Sequence, residues 1–418
     1  MKNQTITKLI WGVALLGFIM TEEANGAGFD NPAVGLRGHS MSSAYHGIAD
    51  DASAVYYNPA GLALIEPGEM NIEASTYFVF TDFDYTVGEE TSKSTEMPIL
   101  PGFFISHSLD DGGVGLGFYA PYGGGGVVYK DFLGNEGEPY ESAAGFFALS
   151  AAAGVEIVKK YLSIGLTPSI YFGMMERLFY QPNATLPPGT AVQVHSKNTG
   201  FAGVGATLGI MSKPIPQLGI GVTVRSPVKV KMSGENTVTM KGFGPEDDVT
   251  KTDSDIALML PMETTLGVGL TPIEQLTIGF SFAVVFHGQM EEITVIPAEG
   301  ENIVSETHYK HAFWTSLAAE YMIIKQLGVR AGVKFTQSPA KDDGLIPDNN
   351  DINQLVPTVG LVWNIVDFLA LDVAGAHVFG FERQRDDEVT PGVNVTSKYD
   401  ADHWILLAGL RFNWNFIK

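Results

Sequence analysis

Five basic residues, Arg225, Lys229, Arg330, Lys334 and Arg411, fall on the small, polar side of segments whose other side is greasy. A guanidinium aimed into a closed interior takes a carboxylate through two parallel N–H bonds. The same groups could instead pair with interior acids such as Asp372 and Glu382, or with the acids near the start of the chain, and only neutralise charge. Other chemistry is poorly supported. There is no Ser nucleophile elbow, no HExxH and no P-loop, since Gly123–Gly126 is not followed by Gly-Lys-Ser/Thr. His308-x-x-His311 is a lone pair without further ligands. With no cysteine, thiol chemistry and disulfides are excluded. The expectation is a protein without enzymatic activity, metal or cofactor.

The segments that hold these residues alternate at period two. Leu218, Ile220, Val222 and Val224 oppose Gly219, Gly221, Thr223 and Arg225, and the run is read as continuing with Val228 and Val230 against Lys229 and Lys231. Leu327, Val329, Ala331, Val333 and Phe335 oppose Gly328, Arg330, Gly332 and Lys334. The greasy face carries almost no charge and ends in aromatics near the turns. Apolar outside with polar inside is the pattern of a β-barrel in lipid. Composition agrees: 48 glycines, 11% aromatic and only 17% charged residues, with no apolar run long enough for a spanning helix. A net charge of −22 makes nucleic acid an unsuitable partner.

Short turns alternate strictly with longer polar connections at 86–96, 129–141, 179–197, 233–254, 291–304, 338–353 and 384–400. Seven long connections imply seven hairpins, hence about fourteen antiparallel strands over residues 65–418, with both ends on the periplasmic side. Residues 1–26 read as a signal peptide: Lys2 and Lys8, an apolar run from Leu9 to Met20, and small residues before Ala27. Residues 27–64 are rich in Gly, Ala and Ser and break at Asn58-Pro59-Ala60. They do not alternate, and we read them as a plug, or hatch, inside the lumen. Asn58-Pro59 is the turn that hands over to the first strand. In the third strand, Pro121 cannot donate a ladder hydrogen bond and the run Gly123, Gly124, Gly125 and Gly126 weakens pairing. This is the expected interruption of the wall.

On these residues the chain resembles the FadL/TodX family of outer-membrane transporters for long-chain fatty acids and hydrocarbons. The match rests on Ala27-Gly28-Phe29, Gly35-Leu36-Arg37-Gly38, Ile48-Ala49-Asp50-Asp51-Ala52 and Asn58-Pro59-Ala60-Gly61-Leu62. It continues at Val224-Arg225-Ser226-Pro227-Val228 and at Ile346-Pro347-Asp348. The resemblance implies a fourteen-stranded barrel closed by a hatch, with passive uptake and a sideways exit through a gap at the interrupted strand. For such cargo the residues themselves offer Phe29, Met41, Tyr45, Ile48 and Val55 of the hatch to an apolar tail, or to packing of the hatch against the wall, and Arg225, Arg330 and Lys334 on the inward face to a carboxylate head. Long-chain fatty acids are the first expectation, neutral or aromatic hydrocarbons the second, and a surface adhesin or structural barrel the third. The implied partners are the hydrophobic cargo, outer-membrane lipid and lipopolysaccharide, and the barrel-insertion machinery, around a monomer.

Overall fold

A computed structural model of the chain describes residues 34–130, 139–181, 190–242, 246–298, 302–345, 351–390 and 393–415. Phe29, residues 1–26 and the 346–348 motif lie outside them. Twenty extended segments form one sheet, and six breaks fall within a wall strand, so the wall has fourteen strands. These are β1 (Glu69–Val87), β2 (Glu90–Glu96 and Ile99–Leu109), β3 (Gly112–Tyr129), β4 (Tyr140–Val158), β5 (Leu162–Gln181), β6 (Ala191–Ile215) and β7 (Leu218–Arg225 and Val228–Lys241). They continue with β8 (Asp248–Leu260 and Glu263–Ile273), β9 (Leu276–Val285 and Glu292–Pro297), β10 (Ile303–Glu306 and Ala312–Ile324) and β11 (Leu327–Thr336). The last are β12 (Gln354–Val366), β13 (Leu369–Gly380 and Arg383–Thr390) and β14 (Val393–Asn415). Each is antiparallel to the next, and β14 returns to β1 from Glu69↔Asn415 to Val87↔Ser397. The sheet therefore closes, as backbone groups in lipid require.

Alternation decides which side faces lipid. In β4, Leu149 and Val155 are exposed while Ala148 and Ser150 are buried inward. Trp363, Trp404 and Trp414 stand on the outer face, more than half exposed, where amphipathic rings favour a membrane boundary. One expectation fails here. Lys229 and Lys231 point outward, and Val228 and Val230 are buried inside. The break at Ser226-Pro227 puts one extra residue into β7 and reverses its phase, because Pro227 has no N–H for the ladder. The matching break in β8, between Leu260 and Glu263, sits beside it.

The first and last long connections also differ from the expected loops. Residues 90–96 extend the ladder against Thr81–Val87, and Arg383–Thr390 pairs with Val393–Tyr399. Charged cross-strand pairs such as Lys93–Asp84, with Nζ 2.7 Å from Oδ2, let these hairpins stay extended in water.

Inside the ring lie α1 (Leu36–Ser40), α2 (Ala54–Tyr57) and a 3₁₀ turn over Pro59–Leu64. Nearly every residue from 34 to 64 is buried. Glycines on the inner wall allow this close approach. A Cβ on Gly267 would overlap Gly47, one on Gly279 the carbonyl of Ala44, and one on Gly165 the backbone at Pro59. A Cβ on Gly332 would lie 2.7 Å from Ser42 Oγ, and one on Gly360 2.8 Å from Ser40 Cβ. These glycines come from β5, β8, β9, β11 and β12, so the segment is held from opposite sides of the lumen.

Candidate functional site

Asn58 explains the Asn-Pro-Ala turn. Its Oδ1 accepts the N–H of Ala60 at 3.2 Å, while its Nδ2 donates to the carbonyls of His46 and Ile210, each at 3.1 Å. One side chain thus caps the 3₁₀ turn, ties two parts of the hatch and anchors both to β6. Ser163 Oγ and Thr167 Oγ1 of β5 add hydrogen bonds to the carbonyls of Ala60 and Val55 at 2.8 and 3.0 Å.

Met41, Tyr45, Ile48 and Val55 are all buried between hatch and wall. Val55 fits against Gly115, and Ile48 against Gly269 and Gly279. Tyr45 donates to Asp50 at 2.9 Å and has the Arg37 guanidinium 5.4 Å from its ring centre.

The inward basic residues form two separate clusters. Arg330 is fully buried and is held by Glu320, by Asp372 and by Ser40 Oγ at 3.1 Å. Glu320 also takes Arg37 of the hatch at 2.7 Å, and Asp372 also takes Arg411 at 2.7 Å. In the second cluster, Arg225 lies 3.6 Å from Glu263 and 4.4 Å from the centre of the Tyr56 ring. Trp314 Nε1 donates to the same Glu263 at 3.2 Å, and Lys334 Nζ stands 4.5 Å from the Trp314 ring centre. Buried charges held this way are stabilised by their partners and are costly to separate. His46 packs between Tyr57 and Trp314, and burial, aided by Arg225, lowers its pKa to about 3.

In β3, pairing with β2 stops beyond Phe118. β3 pairs with β2 only from Gly112 to Phe118, although β2 continues along β1 as far as Ile99. Against β4 its register shifts between Tyr119 and Tyr122 and again between Gly123 and Gly125. The two strands meet again where Val128 N–H donates to Ser94 Oγ at 2.8 Å. Leu100 and Ala120 are buried between these two meeting points, so side chains fill the gap in this conformation.

Sequence reasoning passed over the interior aromatics. Tyr85 meets Tyr399 at 5.4 Å between ring centres and Tyr129 at 6.5 Å, near the long-connection rim. Tyr122 and Tyr171 follow at 6.1 Å, then Tyr119 stacks on Phe104 at 5.3 Å and meets hatch Tyr56 edge-on at 5.1 Å. All belong to, or pack on, one buried apolar cluster that includes the hatch. Their signal was present: Phe146 and Tyr171 sit on the otherwise small-polar face of β4 and β5.

A closed wall of fourteen antiparallel strands with a helical segment across its lumen defines a transmembrane β-barrel of the plugged kind. The family model described as "Outer membrane protein transport protein (OMPP1/FadL/TodX)" matches residues 17–416, and the chain belongs to this family of outer-membrane transport proteins. Among solved structures it is similar to a Pseudomonas aeruginosa FadL homologue, at 14% identity and TM-score 0.81, covering 92% of this chain and 99% of that one. It is also similar to the Pseudomonas putida toluene transporter TodX, at 17% identity and TM-score 0.73, covering 95% and 99%. A putative outer membrane protein of Neisseria meningitidis serogroup B is 28% identical over 136 residues, which is 30% of this chain. The match spans only 28% of that relative's own length.

Proposed function

We propose that this protein carries hydrophobic small molecules passively across the outer membrane, with neutral hydrocarbons, aromatic ones included, favoured over fatty acids. The observation that carries this reading is the buried aromatic column from the long-connection rim to Tyr56 and Tyr119 at the gap. Each methylene moved from water into such a lining gains about 0.8 kcal/mol. The inward cations Arg225, Arg330 and Arg411 already face Glu263, Glu320 and Asp372, which disfavours a further carboxylate. Cargo enters at the outer rim, follows the rings, passes Tyr56 and Tyr119 and leaves sideways between β2 and β3. In this reading residues 27–64 are the hatch, and both chain ends lie at the periplasmic rim. The barrel works as a monomer among lipopolysaccharide and lipid after insertion by the barrel-assembly machinery. Similarity to a toluene transporter supports the neutral class.

Proteoliposomes test it. Uptake of labelled toluene should exceed that of labelled oleate, and sugar-driven swelling should be slow. Oleate faster than toluene would return fatty acids as the cargo. Rapid swelling with sugars would make the protein a hydrophilic pore. Deleting residues 28–60 should make the vesicles leaky, whereas an adhesin would show unchanged permeability and intact surface binding.

A further inference from the structure

The long connection between β11 and β12 turns inward instead of standing off the rim. Ala340, Leu345 and Ile352 are fully buried, and they belong to the same apolar cluster as Tyr129 and Tyr399 at the end of the aromatic column. Gly380 of β13 makes room for Ile352. A Cβ on that glycine would overlap both the Ile352 side chain and the carbonyl of Ala401, an inward residue of β14. The column therefore ends against a piece of the chain itself.

Polar ties from two sides hold this segment down. Arg383 of β13 donates through Nη1 to Ser338 Oγ at 3.0 Å and to the carbonyls of Ala340 and Asp351 at 2.9 and 3.2 Å. Its Nη2 donates to Asp342 at 2.6 Å. Ser338 Oγ also donates to the Asp351 carbonyl at 2.5 Å, so one guanidinium gathers both ends of the connection. Arg385 Nη1 and the Tyr399 hydroxyl donate to the Leu345 carbonyl at 2.6 and 3.3 Å. On the other side lies the break in β10. There the Lys310 N–H donates to the Pro339 carbonyl at 2.8 Å and the Lys341 N–H to that of His308 at 3.2 Å, flanking the bridge between Tyr309 and Ala340.

These ties differ from those of the wall. Buried carbonyls need donors, and ionised donors make the stronger bonds. The ion pair with Asp342 is exposed and adds little. All of the ties lie at the long-connection rim, where water can take over each partner as the segment lifts. A ladder that faces lipid has no such replacement. Lifting therefore costs chiefly apolar burial, and an apolar guest covers the cluster again.

We propose that Ser338–Leu345 is a strap over the outer mouth, latched by Arg383, and that cargo enters when the strap lifts. A guest shifts this balance only by favouring the lifted state, which it does by occupying the surface that Leu345 covers. Cargo entry rests on the transport reading above; closure of the column by the strap does not.

The chain has no cysteine, so introduced thiols act alone. Ala401 is buried in the cluster beside Ile352, and A401C should react slowly with a water-soluble methanethiosulfonate. Adding R383Q should speed that reaction about tenfold or more, the scale of one lost hydrogen bond to a charged donor. R385Q in the same background carries the test if R383Q does not fold. Equal rates with and without the latch overturn the proposal. Tyr309 and Ala340 form an antiparallel pair of the non-hydrogen-bonded kind, whose Cα atoms lie about 4.5 Å apart, a separation that a disulfide spans. Whichever of toluene and oleate the parent carries should enter proteoliposomes of oxidised Y309C/A340C about tenfold more slowly than those of its reduced form. Full entry with the disulfide intact overturns the proposal. If neither cargo enters through the parent, the transport reading fails, and the labelling of A401C alone decides the closure.

Discussion

Glu320 and Arg330 face each other directly across β10 and β11, and hatch Arg37 closes on the same carboxylate. One wall residue therefore joins the barrel's own ladder to the segment that crosses its lumen. Removing one member of a buried ion group costs about 3–5 kcal/mol, because its partners stay buried and unpaired. E320Q should weaken hatch seating on that scale. Exchange of residues 36–57 should rise, and planar bilayers should show new ionic leak. Unchanged protection together with unchanged leak would show that the pair does not hold the hatch.

The glycines of the inner wall make a second prediction. A methyl at Gly279 would meet the Ala44 carbonyl, which is backbone and cannot swing aside. Overpacking of this kind costs about 1–3 kcal/mol. G279A should destabilise hatch seating by that amount in the same exchange measurement. G375A is the control, since its nearest neighbour would be the Leu406 side chain at an ordinary 3.6 Å. Equal effects from both would place the tight fit elsewhere.

Much of this was legible because lipid imposes simple rules. Outward faces must be apolar and strands must pair in closed order, so the period-two pattern and the turn spacing led to about fourteen strands. Local rules fail where one residue shifts a phase. The extra residue at Ser226-Pro227 turned Lys229 outward, although its alternation with Val228 and Val230 looked continuous. They also fail for partners distant in sequence. Arg37 and Glu320 are 283 positions apart, and the identity of neither residue points to the other. Phe146 and Tyr171 were placed on the inner face by their phase, but a single ring on a polar face does not reveal the column that several strands assemble.

His46 ties hatch seating to acid. Its ring lies against Tyr57 and Trp314, its Nδ1 is 3.3 Å from Ser281 Oγ, and Arg225 and Lys334 both oppose a positive charge there. The seated pKa is about 3, whereas a released histidine titrates near 6.5. The released form therefore binds more protons between those values, and seating weakens as pH falls through that window. At its lower end the loss reaches roughly 4–5 kcal/mol. Exchange of the hatch amides between pH 7 and pH 4 should rise in the parent and stay flatter in H46N. An identical acid response in H46N would assign the effect to the carboxylates instead.

The lateral exit proposed between β2 and β3 can be tested with one added side chain. β3 leaves β2 after Phe118, and Ala120 lies buried beside Leu100 where the ladder is missing. An indole at position 120 would add bulk where that ladder is missing. A120W should therefore reduce hydrocarbon flux in proteoliposomes by about tenfold, corresponding to ~1.4 kcal/mol on the barrier. Leu116 lies on the lipid face, where β2 and β3 are still paired, and L116W should leave flux unaltered. Cargo that leaves through the hatch end would be indifferent to both substitutions. Full flux through A120W, with the hatch still protected from exchange, would move the exit to that end and remove the lateral route.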